Sequence, residues 1–538
     1  MEGHGGNFAA EALRQGEVEL VFTLSGGHLF PLYDGCEQAG IRLVDTRHEQ
    51  TATFAAEGWA KVTRRPGVAA LTAGPGVTNG MSALTSAWFN GTPMVVIGGR
   101  APSATWGRGG LQELDHIPLV APVTRRAVTA GDTAGIGREI AAALTTASTA
   151  PRGPCFLDVP ADWFFSRADA DPPPAPDPAR GAEPDPEATA AVVKLLNEAA
   201  RPVIMAGAGV YWSGAEAALA RLAEAASVPV LMNGLGRGTV PASHPLAFSR
   251  ARSAALKGAD LVLTVGVPLD FRLGFGSFPG GARVVHLVED ASLVAGHVDL
   301  AASVAGDLVA MLSALAEAVG SPVGRDEWVA GLTTEERSRR DAEQPALHRD
   351  TSPIHPARIY GELRDRAEPD AVVVVDGGDF GSYAGKFVDT ETPGCFLDPG
   401  PYGCLGTGPG YGLAARLAHP HRQVFLLLGD GAAGFSLMDF DTLVRHQAPV
   451  VAIVGNNGIW GLEKHPMKAL YGYDVVADLR PGTRYDQVVT ALGGYGELVT
   501  DPNEIGPAID RALDAAVPAL VNVLTDPDDV YPRSSILM

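Results

Sequence analysis

Two five-residue apolar runs near the end of the chain, VFLLL at 424–428 and VVAIV at 450–454, constrain the fold more than any other feature. Each is closed by a polar turn, and a helix-length segment separates them. Apolar runs of this length read as buried parallel strands, and a helical crossover sets two such strands in one sheet. The first stops at Gly429-Asp430-Gly431 and the second at Asn456-Asn457, so both turns reach the same sheet edge. Open α/β sheets bind ligands at that edge. Asp430 offers a hard anionic oxygen and Asn457 a neutral amide oxygen. Together they suit a divalent ion such as Mg²⁺ that keeps its other positions for phosphate oxygens and water. The glycines beside Asp430 let the backbone approach a phosphate group.

The same alternation of short strands with Ala-rich helical stretches fills the chain. Examples are residues 68–71 and 94–97, then 202–205 and 261–265, then 371–375 and 424–428. At 538 residues the chain suggests about three domains. A Pro-rich acidic stretch at 168–186 reads as an extended linker, and a polar stretch at 333–353 marks a second break. The expected domains are therefore 1–167, 187–332 and 354–538, each an α/β domain with a doubly wound parallel sheet.

A formal charge of −21 argues against a nucleic-acid partner. The four cysteines show no metal-ligand spacing, which points to a reducing cytoplasm. The first residues lack the basic and apolar regions of a signal peptide, and no apolar run is long enough to span a bilayer. No membrane partner is expected.

Twenty-four residues separate Gly431 from Asn456, and the paired turns resemble the GDG…NN signature of thiamine diphosphate enzymes. Residues 43–61, LVDTRHEQTATFAAEGWAK, resemble the glutamate motif of the same superfamily. The resemblance implies that Glu49 holds a proton against the cofactor's pyrimidine ring, which activates the thiazolium carbon. It also implies that Asp430, Asn457 and the Ile459 carbonyl hold Mg²⁺. Gly378, Asp379, Gly406, Gly429, Gly431, Ala432, Ala433, Gly461 and Leu462 would then line the rest of the cofactor.

The turn at 73–79, AGPGVTN, is similar to the SGPG-x-TN turn of acetolactate synthases and adds Gly74, Pro75 and Asn79 to the cofactor set. LQELDH at 111–116 is similar to their FQE-x-D segment, with Leu111 in place of Phe, and gives Gln112 a catalytic or substrate contact. Ser25-Gly26-Gly27-His28 resembles a glycine-rich loop that reaches the site from a neighbouring subunit, so Gly27 and His28 join the substrate pocket. The resemblance covers essentially the whole chain. It implies pyrimidine-binding, central and diphosphate-binding domains, with Glu49 and Asp430 of one site coming from different chains. A homodimer is the minimum, and a homotetramer is the expectation.

Leu462-Glu463 sits where pyruvate decarboxylases carry an Ile-Glu pair and acetolactate synthases an apolar residue. Glu463 is thus a candidate proton shuttle at the pocket. In the middle domain, Ala206-Gly207-Ala208-Gly209 and the turn 266–272 resemble nucleotide half-sites, for FAD or for ADP and CoA. Relatives place an acidic group near the ribose, where this chain has Glu289-Asp290. The segment at 269–276 resembles that of acyl-CoA lyases. One departure is GTGPGYG at 406–412, where relatives carry a Met that bends the cofactor, leaving Pro409 or Leu437 for that place. The expected activity is that of a 2-hydroxyacyl-CoA lyase, releasing formyl-CoA and an aldehyde or ketone. The alternatives are an acetolactate synthase, a 2-oxoacid or oxalyl-CoA decarboxylase, or a non-catalytic relative.

Overall fold

The computed structural model describes residues 1–179, 181–320 and 324–531. After a short edge strand, β1 (Glu2–His4), the first unit contributes six strands. These are β2 (Leu20–Thr23), β3 (Arg42–Asp45), β4 (Gly67–Leu71), β5 (Met94–Arg100), β6 (Arg126–Thr129) and β7 (Pro154–Pro160). They form one parallel sheet in the order β3-β2-β4-β5-β7-β6. Then β8 (Arg167–Asp169) returns antiparallel to β1 and ties the two ends of the unit together.

The central sheet is also parallel. Its strands are β9 (Pro202–Ala206), β10 (Val230–Met232), β11 (Leu261–Val265), β12 (Arg283–Val288) and β13 (Ala302–Ala305), in the order β10-β9-β11-β12-β13. The third sheet holds β14 (Val372–Asp376), β15 (Phe396–Leu397), β16 (Val424–Gly429), β17 (Val451–Asn456), β18 (Tyr495–Val499) and β19 (Ala519–Leu524). Its order is β15-β14-β16-β17-β19-β18. Numbered within each sheet, the first and third share one topology, 2-1-3-4-6-5. The chain thus has three parallel-sheet α/β domains, as the alternation of runs requires.

The first apolar run lies inside β16 and the second enters β17 from Val451; both strands are buried along their lengths and pair from Phe425↔Val451 to Gly429↔Gly455. Between residues 168 and 186 the described chain is mostly extended, until Asp185 caps the Pro186–Glu198 helix. The polar stretch at 333–353, expected as a break that is helical in part, is helical at its start, where it belongs to the single helix Arg325–Leu347. The ion pair Glu335–Arg339 supports its exposed face, while Glu336, Leu332 and Leu347 are buried. The last stretch of the third expected domain, 532–538, lies outside the described residues.

The first and third domains meet along two helices, Glu49–Thr63 and Gly408–Ala418. Small residues let them approach: a Cβ on Gly58 would sit 2.9 Å from Tyr411 Cα, and one on Gly410 would sit 2.8 Å from Phe54 Cβ. Phe54 meets Tyr411 edge-on, and Lys61, buried with Glu57, donates to the Tyr411 hydroxyl at 2.8 Å. All four cysteines are free thiols. Among the described residues no helix is long and apolar enough to cross a membrane.

Candidate active site

The C-terminal edge of the third sheet gathers Asp376 from β14, Asp379 just beyond it, Asp430 from the end of β16 and Asn457 from the end of β17. Asp430 is 3% exposed. Its oxygens accept backbone N–H groups, from Gly431 at 3.0 Å and Gly458 at 2.7 Å. Burial pushes its carboxyl up to about 6, and nearby Asp379 adds to the rise. Asn457 donates to Asp379 at 3.0 Å, and its own oxygen accepts the Ile459 N–H at 3.2 Å. Burial raises the Asp379 carboxyl too.

A buried carboxylate held by dipoles alone is the arrangement that a cation completes. Among the described residues no cluster of three His, Cys, Asp or Glu side chains is placed to bind a metal. The donors on offer are therefore the Asp430 carboxylate, the Asn457 amide oxygen and the Ile459 carbonyl, a hard-oxygen set that fits Mg²⁺.

Around these donors the backbone is open. Gly378 has φ +78 with free space where a Cβ would be, and Gly429 is nearly as open. Gly431 is required for a different reason: a Cβ there would enter the Trp460 ring. At Gly461, which opens the Gly461–Tyr471 helix, a Cβ would collide with the Asp379 carboxylate. Gly406 donates to Asp376 at 3.0 Å and Gly408 does so at 2.8 Å. Asp376, pushed up to about 7 by burial, thus shapes the turn and was not anticipated from sequence. Ala432 and Ala433 are buried in the Asp430–Ser436 helix, at whose end the buried Ser436 hydroxyl has no hydrogen-bond partner. Of the two residues considered for the missing Met, Pro409 is buried in a first helical turn and Leu437 is half-buried.

The first sheet's edge is built differently. Glu49 is the first residue of its helix, 7% exposed, and accepts the Asn79 side-chain amide at 3.0 Å. Asn79 stands on the Pro75–Phe89 helix, entered through Gly74 at φ +60. Gln112, itself at φ +57, packs on Gly74, where a Cβ would lie 2.9 Å from its carbonyl oxygen. His28 is half-buried with Nδ1 3.2 Å from the Thr72 hydroxyl, and burial lowers its pKa. Gly27 and Leu111 are exposed.

The structure therefore brings the expected residues into two groups. One surrounds Asp379, Asp430, Asn457, Ile459 and Gly461, and the other surrounds Glu49, Gly74, Asn79, Gln112 and His28. Glu49 bonds to Asn79 of the first domain, and Asp430 bonds to Gly431 and Gly458 of the third. Leu462 is half-buried, whereas Glu463 is exposed in the first turn of its helix. Sequence reasoning also missed Trp460, which lies across Gly431 and meets Phe435 edge-on. An aromatic immediately before a glycine-led helix gave no signal of its own.

In the central domain the two glycine turns interlock: a Cβ on Gly207 would lie 2.5 Å from the Gly266 carbonyl. Beside them runs a groove of about 520 Å³, lined by Gly209, Val267, His286 and Glu289, with Arg125 and Arg152 from the first domain. Arg152 and the Ser213 hydroxyl both hold Glu289.

Two like sheets, one ending in a carboxylate–amide cation site and the other in a buried glutamate beside an amide, define a thiamine diphosphate-dependent enzyme. Comparison with known families agrees. The thiamine pyrophosphate enzyme N-terminal TPP binding domain matches residues 3–119, the central domain 189–315 and the C-terminal TPP binding domain 376–523. The chain belongs to the thiamine pyrophosphate (thiamine diphosphate) enzyme family. It is 57% identical over 99% of its length to the probable acetolactate synthase of Mycobacterium bovis, covering 98% of that protein. The acetolactate synthase large subunit IlvG of Mycobacterium tuberculosis matches with the same figures. The 2-hydroxyacyl-CoA lyase 2 of Caenorhabditis elegans is 32% identical, covering 98% of this chain and 90% of its own.

These figures overturn the expectation of a 2-hydroxyacyl-CoA lyase. That expectation rested on Leu462-Glu463 and on the segment at 269–276, two short stretches. Full-length identity to acetolactate synthases is far higher than to the lyases. The segment Phe271–Gly276 is a kinked turn that exposes Phe271 and Phe275 and buries Leu273 and Gly276.

Proposed function

We propose that the protein is an acetolactate synthase, which joins two 2-oxoacid molecules with loss of carbon dioxide from one. The observation that carries this reading is 57% identity to acetolactate synthases over 99% of the chain. Bound thiamine diphosphate supplies the carbon nucleophile and the electron sink. The chain's part is placement and proton traffic. Asp430, Asn457 and the Ile459 carbonyl hold Mg²⁺, and the turns at 377–379, 406–408 and 429–433 surround the diphosphate. Glu49, oriented by Asn79, holds a proton against the pyrimidine ring.

Gln112 and His28 face the incoming substrates from the first domain, and Leu462 and Glu463 do so from the third. We further propose that, as the resemblance implies, each site is completed by the first domain of one chain and the third domain of another, in a homodimer, with two dimers forming a tetramer. The central groove is proposed to take a nucleotide, FAD or ADP/CoA, with Glu289 near its ribose. A flavin would show in the visible absorbance of the purified protein.

Incubation with pyruvate, Mg²⁺ and thiamine diphosphate tests the reaction. Acetolactate is the expected product. Acetaldehyde without acetolactate would assign a decarboxylase instead, and neither product would remove the proposal.

A further inference from the structure

A buried polar chain behind the first sheet's edge has no role in the reading above. His116 is sealed from solvent at the head of the short Ile117–Val120 helix. Its Nδ1 lies 3.0 Å from an Asp158 oxygen, and its Nε2 accepts the Gly74 backbone N–H at 2.9 Å. Asp158, equally sealed on β7, accepts the Arg100 guanidinium at 2.5 Å from the end of β5. Arg100 in turn reaches Asp115 and lies over the Trp106 ring. These contacts fix the tautomer. A backbone N–H can only donate, so Nε2 carries the lone pair and Nδ1 the proton, which goes to Asp158.

Gly74 is the hinge of this edge. Its φ of +60 and ψ of −109 suit glycine alone. On one side Gln112 packs against it, and on the other begins the helix whose Asn79 holds Glu49. We infer that His116, braced by Asp158 and Arg100, is a positioning residue. Through the Gly74 amide it sets Asn79 against Glu49 and holds Gln112 at the mouth of the site. The inference rests on Glu49 acting on the cofactor, as proposed above. His116 itself touches neither cofactor nor substrate.

Two substitutions separate positioning from packing. His116→Phe keeps the edge-on contact with Phe156 and removes both nitrogens. His116→Gln keeps one donor and one acceptor at similar reach. Three quantities are measured: hydrogen exchange at the Gly74 amide without cofactor, calorimetric affinity for thiamine diphosphate with Mg²⁺, and turnover of pyruvate.

In H116F the Gly74 amide should exchange about tenfold faster and the cofactor should bind about tenfold more weakly. The rate kcat should fall with KM for pyruvate changing less than about twofold, and H116Q should restore most of each loss. Native exchange and native affinity in a folded H116F would overturn the inference. If H116F does not fold, H116Q decides: protection of Gly74 and affinity within about threefold support it, and larger losses reject it. A protein that binds the cofactor but makes no acetolactate defeats the proposed reaction while leaving the exchange and affinity readouts intact.

Discussion

The first and third sheets share one strand order, yet equivalent strand ends carry opposite chemistry. β14 ends in Asp376 and is followed by Gly377, Gly378 and Asp379; after its counterpart β2 come Leu24, Ser25, Gly26, Gly27 and His28. After β16 comes Asp430, a buried acid; after its counterpart β4 comes the Gly74 turn, held through a neutral imidazole. Topology decides that both edges receive a ligand, and the turn residues decide which end of it. The third edge concentrates negative charge that a cation must offset. The first edge sets Glu49 against an amide, and its other buried acid, Asp158, is paired with Arg100 and His116. Each substitution below tests whether that division is real.

The largest effect is expected at the acid of the first edge. Glu49→Gln should lower turnover by about 10³-fold, since a positioned proton carrier contributes on that scale. Thiamine diphosphate affinity should change less than about threefold, because the third edge does the anchoring. Calorimetry beside a pyruvate assay checks both. Affinity falling as steeply as turnover would erase the contrast between the edges.

The acids of the third edge lead to a prediction about pH. Burial raises Asp430 to about 6 and Asp376 to about 7, both above the ordinary 3.8. A carboxyl with a raised folded pKa favours the fold when protonated, so the contribution of these two acids to apo stability is greatest at low pH and is lost as pH climbs through these values. For Asp430 alone the cost at pH 8 is about 3 kcal/mol. Mg²⁺ removes that cost by pairing the charge. The thermal upshift on adding Mg²⁺ and cofactor should therefore be larger at pH 8 than at pH 5.5 in differential scanning fluorimetry. In Asp430→Asn the pH dependence of the upshift should shrink. An upshift independent of pH in the native protein would mean that the acids already have partners.

How much of this was legible beforehand differs between the two edges. At the third edge, apolar runs ending in Gly-Asp-Gly and Asn-Asn located the strands, the crossover and the site, because strand burial and turn chemistry are local. At the first edge Glu49 and the Gly74 turn could be read for the same reason. Asp158 and His116 could not: they lie 42 residues apart, one on β7 and the other at the head of the Ile117–Val120 helix, and they meet beneath the turn through tertiary packing. Asp376 was invisible because its partners are backbone amides 30 and 32 residues away. The reaction class was misjudged where short resemblances around Glu463 and residues 269–276 outweighed the length of the chain.

A glycine pair sharpens the contrast at smaller scale. Gly431→Ala drives a methyl group into the Trp460 ring, while Gly27→Ala places one in open space at the first edge. The first should cost about 1–3 kcal/mol through forced displacement of the ring and weaken cofactor binding about tenfold. The second should stay within about 0.5 kcal/mol of the native protein. Chemical denaturation and calorimetry on both variants decide it, and equal costs would show that Trp460 yields freely.

The smallest effect is expected at His28, which takes the place that acids occupy after β14. Burial lowers its pKa from the ordinary imidazole value, which favours the neutral ring and a hydrogen bond rather than a charge. His28→Ala should then lower kcat/KM for pyruvate by about tenfold, the value of one neutral hydrogen bond, with cofactor affinity unchanged. With the neutral ring favoured, the ratio of native to variant kcat/KM should stay flat from pH 7 to pH 9. A ratio that climbs toward low pH would mean that a charged imidazole grips the substrate carboxylate. The first edge would then carry charge after all, of the sign opposite to that of the third.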